Sequence, residues 1–282
     1  MGRIEKNIFE NTIVFYNKYL ERKDLSCISK KKYIGDIKRF IKYLDNNKIT
    51  VIDKKAMNHY KIYLSSRCTY KSCNSYFISL NQYFKYLKMP SLQIKLYRVE
   101  QKQSLENVVT IEEYSKLLEY TNNNKYYRSH CIMRTLACTG IRISELKFIT
   151  YESILVKKAE VTSKGKTRTV YFSEEICRKL LEYCQNETIT EGIIFRTKTS
   201  NKSLDNGNIW RQLKLIAKRA GVDENKVYPH SFRHLFAKTF IEKFNTIDEL
   251  ADILGHSSIE TTRIYTRTTG EEKRVRLNQL GL

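Results

Sequence analysis

The sequence predicts a mainly α-helical protein in two domains: a four-helix bundle, then a helix-rich domain interrupted by one small three-stranded antiparallel sheet. Three observations predict this. Only two prolines, Pro90 and Pro229, and ten glycines occur in 282 residues, so few positions stop a helix. Apolar residues recur at helical spacing along most of the chain. A single stretch, residues 154–172, is instead built of short, β-branched, partly alternating runs.

In order, helices are expected over Ile8 to Leu20, Lys30 to Leu44, Lys54 to Ser65 and Lys71 to Leu87, as the spacing of Ile34, Ile37, Ile41 and Leu44 illustrates. Basic and aromatic side chains interleave on them (Lys38, Arg39, Lys42; Tyr76, Tyr83, Lys85, Tyr86), a mixture suited to phosphates and base edges. Most of these tyrosines are nonetheless expected in a bundle core, and most of the lysines on a solvated face. Pro90 ends the last helix, and the polar, aperiodic run Gln101 to Asn107 reads as a linker, which sets the domains at 1–103 and 104–282. Thr110, followed by Glu112 and Glu113, caps a helix to about Thr121. Another helix runs from Ser129 to Cys138; Gly140 stops it, and Arg142 lies at the turn beyond. The three strands are Ile154 to Val156, Ala159 to Thr162 and Thr167 to Phe172, with Ser163-Lys164-Gly165-Lys166 as a lysine-bearing turn. Helices follow over about 174–186, 205–220, 231–244, 246–254 and 258–265, before a polar tail, 267–282, with a short amphipathic pattern through Leu277 and Leu280.

Charge points to a partner. Fifty-one Lys+Arg against 30 Asp+Glu leave +21, and so large an excess repels itself unless a polyanion offsets it. Nucleic acid is the first candidate and an anionic membrane the second, although a lysine-rich coding bias accounts for part of the excess. The first 100 residues carry 21 basic and 8 acidic groups, so the N-terminal third is the more basic part. Seven cysteines, odd in number and never spaced C-x-x-C, suggest neither a disulfide framework nor a zinc site, and point to a reducing cytosol. The start, Met1 to Lys6, has no apolar core of a secretory signal, and no apolar run approaches the ~20 residues that span a bilayer. A soluble, intracellular protein without a membrane role is expected.

Three ordered segments concentrate the chemistry. They are Thr139-Gly140-Ile141-Arg142-Ile143-Ser144-Glu145-Leu146, then His230-Ser231-Phe232-Arg233, then Leu254-Gly255-His256 with Tyr265 nine residues later. Each alone is ordinary: an Arg after Thr-Gly is commonly a surface residue, and Tyr265 is one of twenty tyrosines. Their conjunction, in order and spacing, is not. Planar guanidinium forks match the two non-bridging oxygens of a phosphodiester and stay charged at any relevant pH. A tyrosine hydroxyl, with a reference pKa of about 10, becomes a nucleophile where cations or a base help to remove its proton. No G-x-x-x-x-G-K-[ST] loop is present, so no ATP site is expected.

These segments resemble the tyrosine recombinase (phage integrase) family, most closely its compact Xer-like and transposon-encoded members, and the resemblance spans almost the whole chain. It implies an N-terminal core-binding (SAM-like) helical domain and a catalytic domain that together form a C-shaped clamp on double-stranded DNA. It implies catalytic roles for Arg142, Lys164, His230, Arg233, His256 and Tyr265, with Glu145 supporting. Arg142 and Arg233 would clamp the phosphate, Tyr265 would attack, and His230 with the arginines would favour the loss of its proton. Lys164 on the hairpin would protonate the leaving 5′ oxygen, His256 would hydrogen-bond the phosphate or steady the intermediate, and Glu145 would orient the basic cluster. The 3′-phosphotyrosyl product stores the backbone energy, so neither metal nor cofactor is implied. In the last helix Ile264 is expected to pack while Tyr265 faces outward, and His234 to be structural or supporting.

The implied activity is site-specific DNA recombination by a homotetramer assembled on two DNA sites, monomeric or weakly associated when free, in a nucleoid-associated cytoplasmic setting. The task would be integration and excision, cointegrate resolution or chromosome-dimer resolution; without an additional N-terminal arm-binding domain, the simpler tasks are expected, with a DNA-bending or directionality protein as the accessory partner. The tail, 267–282, would dock on a neighbouring protomer. Two other readings share these features: a type IB topoisomerase, which relaxes DNA without site specificity, and a non-catalytic DNA-binding regulator that keeps the fold.

Overall fold

The computed structural model describes residues 2–99, 107–122, 125–163, 165–197, 201–256 and 258–265, with 274, 278 and 279. The chain divides into two units, Met1–Gln101 and Lys102–Leu282. Most of the expected linker, Lys164, and nearly all of the tail lie outside the described residues.

The first unit holds β1 (Ile4–Glu5), α1 (Lys6–Asn11), α2 (Ile13–Glu21), α3 (Cys27–Asn46), β2 (Val51–Ile52), α4 (Lys54–Ser65) and α5 (Tyr70–Tyr86). The helix expected over Ile8 to Leu20 is therefore two. The break falls at Thr12, whose hydroxyl donates to the carbonyls of Phe9 (2.9 Å) and Ile8 (3.1 Å) and lies 2.6 Å from the Tyr83 hydroxyl. Such back-bonding by a β-branched hydroxyl competes with the helix ladder. The two-residue strands pair antiparallel, Ile4 with Ile52, and are too short to leave a periodic signal. The core is aromatic: Phe9, Tyr16, Phe40, Tyr60, Phe77, Tyr83 and Phe84 are all buried, with Phe9 meeting Phe40 and Tyr83 edge-on at 5.7 and 4.8 Å. Lys38, Arg39, Lys42 and Lys85 stay exposed on the outer faces of α3 and α5.

In the second unit α6 (Ile111–Thr121) starts with a reciprocal cap. The Glu113 amide donates to the Thr110 hydroxyl (3.2 Å), and the Thr110 amide to the Glu113 carboxylate (3.0 Å). Buried along most of its length, α7 (Tyr127–Thr139) ends at Gly140 (φ 62°), and a 3₁₀ turn, Ile143–Phe148, follows. Where a first strand was expected over Ile154 to Val156, a short helix α8 (Tyr151–Leu155) forms instead. Thr150 and Ser153 cap it reciprocally, so Ile154 turns inward while Leu155 and Val156 are exposed. β-branched composition was outweighed by the cap. The sheet is accordingly two-stranded among the described residues: β3 (Lys158–Ser163) pairs antiparallel with β4 (Lys166–Tyr171), from Lys158 opposite Tyr171 to Ser163 opposite Lys166.

The remaining helices are α9 (Glu174–Asn186), α10 (Asn206–Arg219), α11 (Pro229–Phe244), α12 (Ile247–Leu254) and α13 (Ile259–Thr262), the last running into a 3₁₀ turn, Arg263–Tyr265. One apolar core joins α6 to α10, the hairpin and the start of α11; a smaller one gathers Ala237, Ile241, Leu250, Leu254 and Tyr265. Among the described residues no helix is long and apolar enough to cross a membrane.

Gly140 is fixed twice over. Its φ of 62° suits glycine, and a Cβ there would lie 2.6 Å from the Phe236 ring and 2.8 Å from Leu254. Gly140→Ala should therefore lower stability by more than about 1 kcal/mol, read as a shift in the urea midpoint; an unchanged midpoint would contradict this packing.

Candidate active site

Four separate stretches of the second unit meet around one side chain. Arg233, on the first turns of α11, is 1% exposed. Its Nη1 donates to the Gly140 carbonyl at the end of α7 (2.6 Å), and its Nη2 to the Leu254 carbonyl at the end of α12 (2.8 Å). Terminal carbonyls of a helix lack partners within it and carry the negative end of the helix dipole, so two such ends are a suitable seat for a buried cation. Nη2 also lies 2.9 Å from His256 Nε2, while Nε finds no partner among the described residues. Burial, then the Arg142 charge, lowers Arg233 to about 10, so it stays cationic at neutral pH.

A guanidinium only donates, so His256 Nε2 must present its lone pair. The ring proton then sits on Nδ1 and donates to the Thr262 hydroxyl at 2.8 Å. Both ring nitrogens of His256 are thus engaged within the protein. Burial and the surrounding arginines hold it down at about 4, which keeps it neutral and able to accept from Arg233.

Arg142 follows Gly140 and is about one-third exposed. Its backbone amide donates to Glu145 Oε2 (2.8 Å) and its Nη1 to Glu145 Oε1 (3.0 Å). Glu145 itself is buried and also receives a two-pronged contact from Arg168 on β4, at 2.9 and 2.8 Å. Burial pushes the carboxyl up, but the bonds from Arg168 and Arg142 outweigh it and hold it below the ordinary value. Arg168 Nε in turn donates to the Ile253 carbonyl (3.1 Å), tying the hairpin to α12. Gly255 (φ 62°) lets the chain pass over this side chain, since a Cβ there would lie 2.7 Å from Arg168 Cδ.

Tyr265 is buried, at 7% exposure, within the small apolar cluster of α11 and α12. The sequence expectation that it faces outward while Ile264 packs is corrected: Tyr265 is the more buried of the two, because it belongs to the apolar cluster of Ala237, Ile241, Leu250 and Leu254, against which Ile264 is only partly buried. Its hydroxyl lies 2.9 Å from His234 Nδ1. Burial raises its pKa, while the Arg233 and Arg142 charges pull it down. His230 keeps an open face, and its ring meets that of His234 edge-on at 4.4 Å. Crowding, then the Arg233 and Arg142 charges, lowers His230, and burial with its cationic and imidazole neighbours takes His234 to about 3.

Of the residues singled out in the sequence, Arg142, Glu145, His230, Arg233, His256 and Tyr265 come together here, while Lys164 lies outside the described residues. Two residues carry more than their motifs suggested. Arg168 supplies half of the cationic pair around Glu145, and His234 is the hydrogen-bond partner of Tyr265. A buried acid needs such a counter-charge, and the basic hairpin was the nearest source; nothing in the periodicity separated His234 from a structural residue. The arrangement offers fixed positive charge, neutral imidazoles and a phenol to one oxyanion-bearing substrate.

Residues 107–272 match the model of the phage integrase family. The chain is 31% identical to tyrosine recombinase XerA of Pyrococcus furiosus over 71% of this chain and 71% of that protein. It is 28% identical to tyrosine recombinase XerD of Staphylococcus epidermidis over 96% of this chain and 92% of that one. Its fold is similar to that of the Tn1549 transposon integrase in complex with circular intermediate DNA, with a TM-score of 0.73 and 15% identity over 98% of this chain and 99% of that one. The chain belongs to the phage integrase family.

The buried Glu145 has a consequence for acid stability. A carboxyl held lower in the folded than in the unfolded chain stabilises the fold above its ordinary value of 4.5, and that stability is lost as pH falls through the folded value. Glu145→Gln should destabilise the protein by about 3–5 kcal/mol at pH 7, because it leaves Arg168 without a counter-charge, and the difference from wild type should shrink as the pH falls below the ordinary carboxyl value of 4.5 and through the lower folded one. Equal melting profiles for the two at pH 7 would contradict the assignment.

Proposed function

We infer that this chain is a site-specific DNA recombinase, an enzyme that cuts and rejoins duplex DNA through a covalent 3′-phosphotyrosyl intermediate. The observation that carries this reading is the convergence of Arg142, Arg233, His230, His256 and Tyr265 on one site, in a chain of this family. Tyr265 is the nucleophile. Arg142 and the donors left on Arg233 hold the non-bridging oxygens, and they gain most as charge builds on those oxygens in the transition state. His256 acts through Arg233, Glu145 with Arg168 fixes Arg142, and Lys164 supplies a proton to the leaving 5′ oxygen. Because Tyr265 meets Arg233 and His234 of its own chain, cleavage proceeds with the nucleophile of the protomer that holds the phosphate.

Double-stranded DNA is the partner, and the +21 charge supports it. Residues 1–103 form the core-binding helical domain and 104–282 the catalytic domain, closing on DNA as a C-shaped clamp. Four copies assemble on two sites in the cytoplasm, with the tail 267–282 docking between neighbours and an accessory DNA-bending or directionality protein where the task needs one. The recombinase names of its relatives favour this over a relaxing topoisomerase, and the full set of reactive residues favours it over a regulator that has lost its chemistry.

Nicked suicide duplexes carrying the DNA beside the gene should trap a denaturant-stable adduct with wild type, in EDTA and without ATP. Tyr265→Phe should give none, and Arg142→Ala about 10²-fold less or lower still. Adduct formation by Tyr265→Phe at the wild-type rate would contradict the reading. Binding of the same duplexes should weaken steeply as salt rises from 50 to about 200 mM.

A further inference from the structure

We propose that His234, and not His230, takes the proton from Tyr265 as its oxygen attacks the scissile phosphorus. This rests on the reading of Tyr265 as nucleophile and adds the base that the motif assigned elsewhere. A buried phenol needs an acceptor for its O–H. The cations around Tyr265 are guanidinium groups, which have nothing to accept with. The one acceptor in contact with the hydroxyl among the described residues is His234 Nδ1, at 2.9 Å, within the range that general-base transfer requires. The O–H therefore points at Nδ1, which carries the lone pair, and the ring proton of His234 sits on Nε2. His230 has no such contact among the described residues: its ring meets that of His234 edge-on at 4.4 Å, and the hydroxyl's histidine partner is His234.

The position of His234 follows from the helix. It is one residue beyond Arg233 on α11, so the turn that buries the guanidinium also sets the imidazole, and the Tyr265 ring lies 5.5 Å from it, centroid to centroid. The imidazole is a weak base, held down by burial and by His230, Arg233 and His256. A phosphodiester brings negative charge to these same cations and so raises the proton affinity of the ring beside them. As the Oη–P bond forms, the Oη proton passes to Nδ1; the P–O5′ bond breaks, and the 5′ oxygen takes a proton from the general acid on the hairpin. In rejoining, the 5′ hydroxyl attacks phosphorus and returns its proton to the deprotonated hairpin group, the P–Oη bond breaks, and Nδ1 returns its proton to Oη. The cycle leaves the protein's proton count unchanged.

The test compares wild type, His234→Ala and His234→Asn on nicked suicide duplexes with either an ordinary 5′ oxygen or a 5′-bridging sulfur, a leaving group that needs no proton. Asn keeps a hydrogen-bonding atom near the Nδ1 position but cannot take up a proton, and unchanged melting and duplex binding will show that it folds. His234→Asn should form adduct about 10²- to 10⁴-fold more slowly on both duplexes, its rate should climb with pH where that of wild type is level, and added imidazole should restore part of the rate to His234→Ala. Adduct formation at the wild-type rate by His234→Asn, or rescue of either variant by the sulfur leaving group, would overturn the assignment. If wild type itself forms no adduct on a duplex that it binds, the recombinase reading fails and the assignment falls with it; the same loss confined to the His234 variants supports it.

Discussion

A guanidinium removed from water is costly unless something negative faces it, and in this protein what faces Arg233 is two helix ends. The carbonyls of Gly140 and Leu254 close α7 and α12, and both are turned onto the same side chain. The rest of the site depends on this arrangement. The chain leaving Gly140 delivers Arg142 two residues later, and the chain leaving Leu254 delivers His256 two residues later. The helix that carries Arg233 also carries His230 and His234. One buried cation thus sets the spacing of three sequence motifs that lie far apart along the chain, and it does so with backbone atoms that need no particular side chain of their own.

Charge around this centre is divided in a way that suits phosphoryl transfer. The positive charge resides in Arg142, Arg168 and Arg233, while crowding, Arg233 and their other charged or imidazole neighbours hold His230, His234 and His256 below the ordinary histidine value. Neutral imidazoles accept hydrogen bonds, and the site uses that capacity twice: His256 steadies the Arg233 fork, and His234 holds the Tyr265 hydroxyl. Glu145 performs the complementary task for Arg142, with Arg168 sharing the buried carboxylate. The phenol is anchored by apolar packing from Leu250 and Leu254, and it points its one polar atom toward the basic centre.

Much of this was legible in the sequence because it rests on short-range rules. Helical periodicity marked α3 to α7 and α9 to α12; Thr110 with Glu113 announced the cap of α6, and Gly140 announced a helix end because only that end needs a positive φ. The motif residues were legible as a group because guanidinium, imidazole and phenol in that order suit one chemistry, and the fold does bring Arg142, Glu145, His230, Arg233, His256 and Tyr265 together. What escaped was decided by contacts between distant segments. The break at Thr12 depends on Tyr83, the β1–β2 pair on residues nearly fifty positions apart, and the inward turn of Tyr265 on a small apolar cluster built from α11 and α12. The helix at Tyr151–Leu155 escaped for a local reason: the cap from Thr150 and Ser153 outweighed a β-branched composition. Arg168 and His234 look like ordinary surface-compatible residues until the fold sets them against Glu145 and Tyr265.

The central claim is that Tyr265 becomes joined to the 3′ phosphate of cleaved DNA. Mass spectrometry of the trapped adduct, after nuclease and trypsin digestion, tests it at the level of the bond. Trypsin releases Ile264-Tyr265-Thr266-Arg267, a peptide with a single tyrosine, and the account predicts the added nucleotide on that residue through its 3′ phosphate. A nucleotide on any other residue, or one attached through a 5′ phosphate, would contradict it.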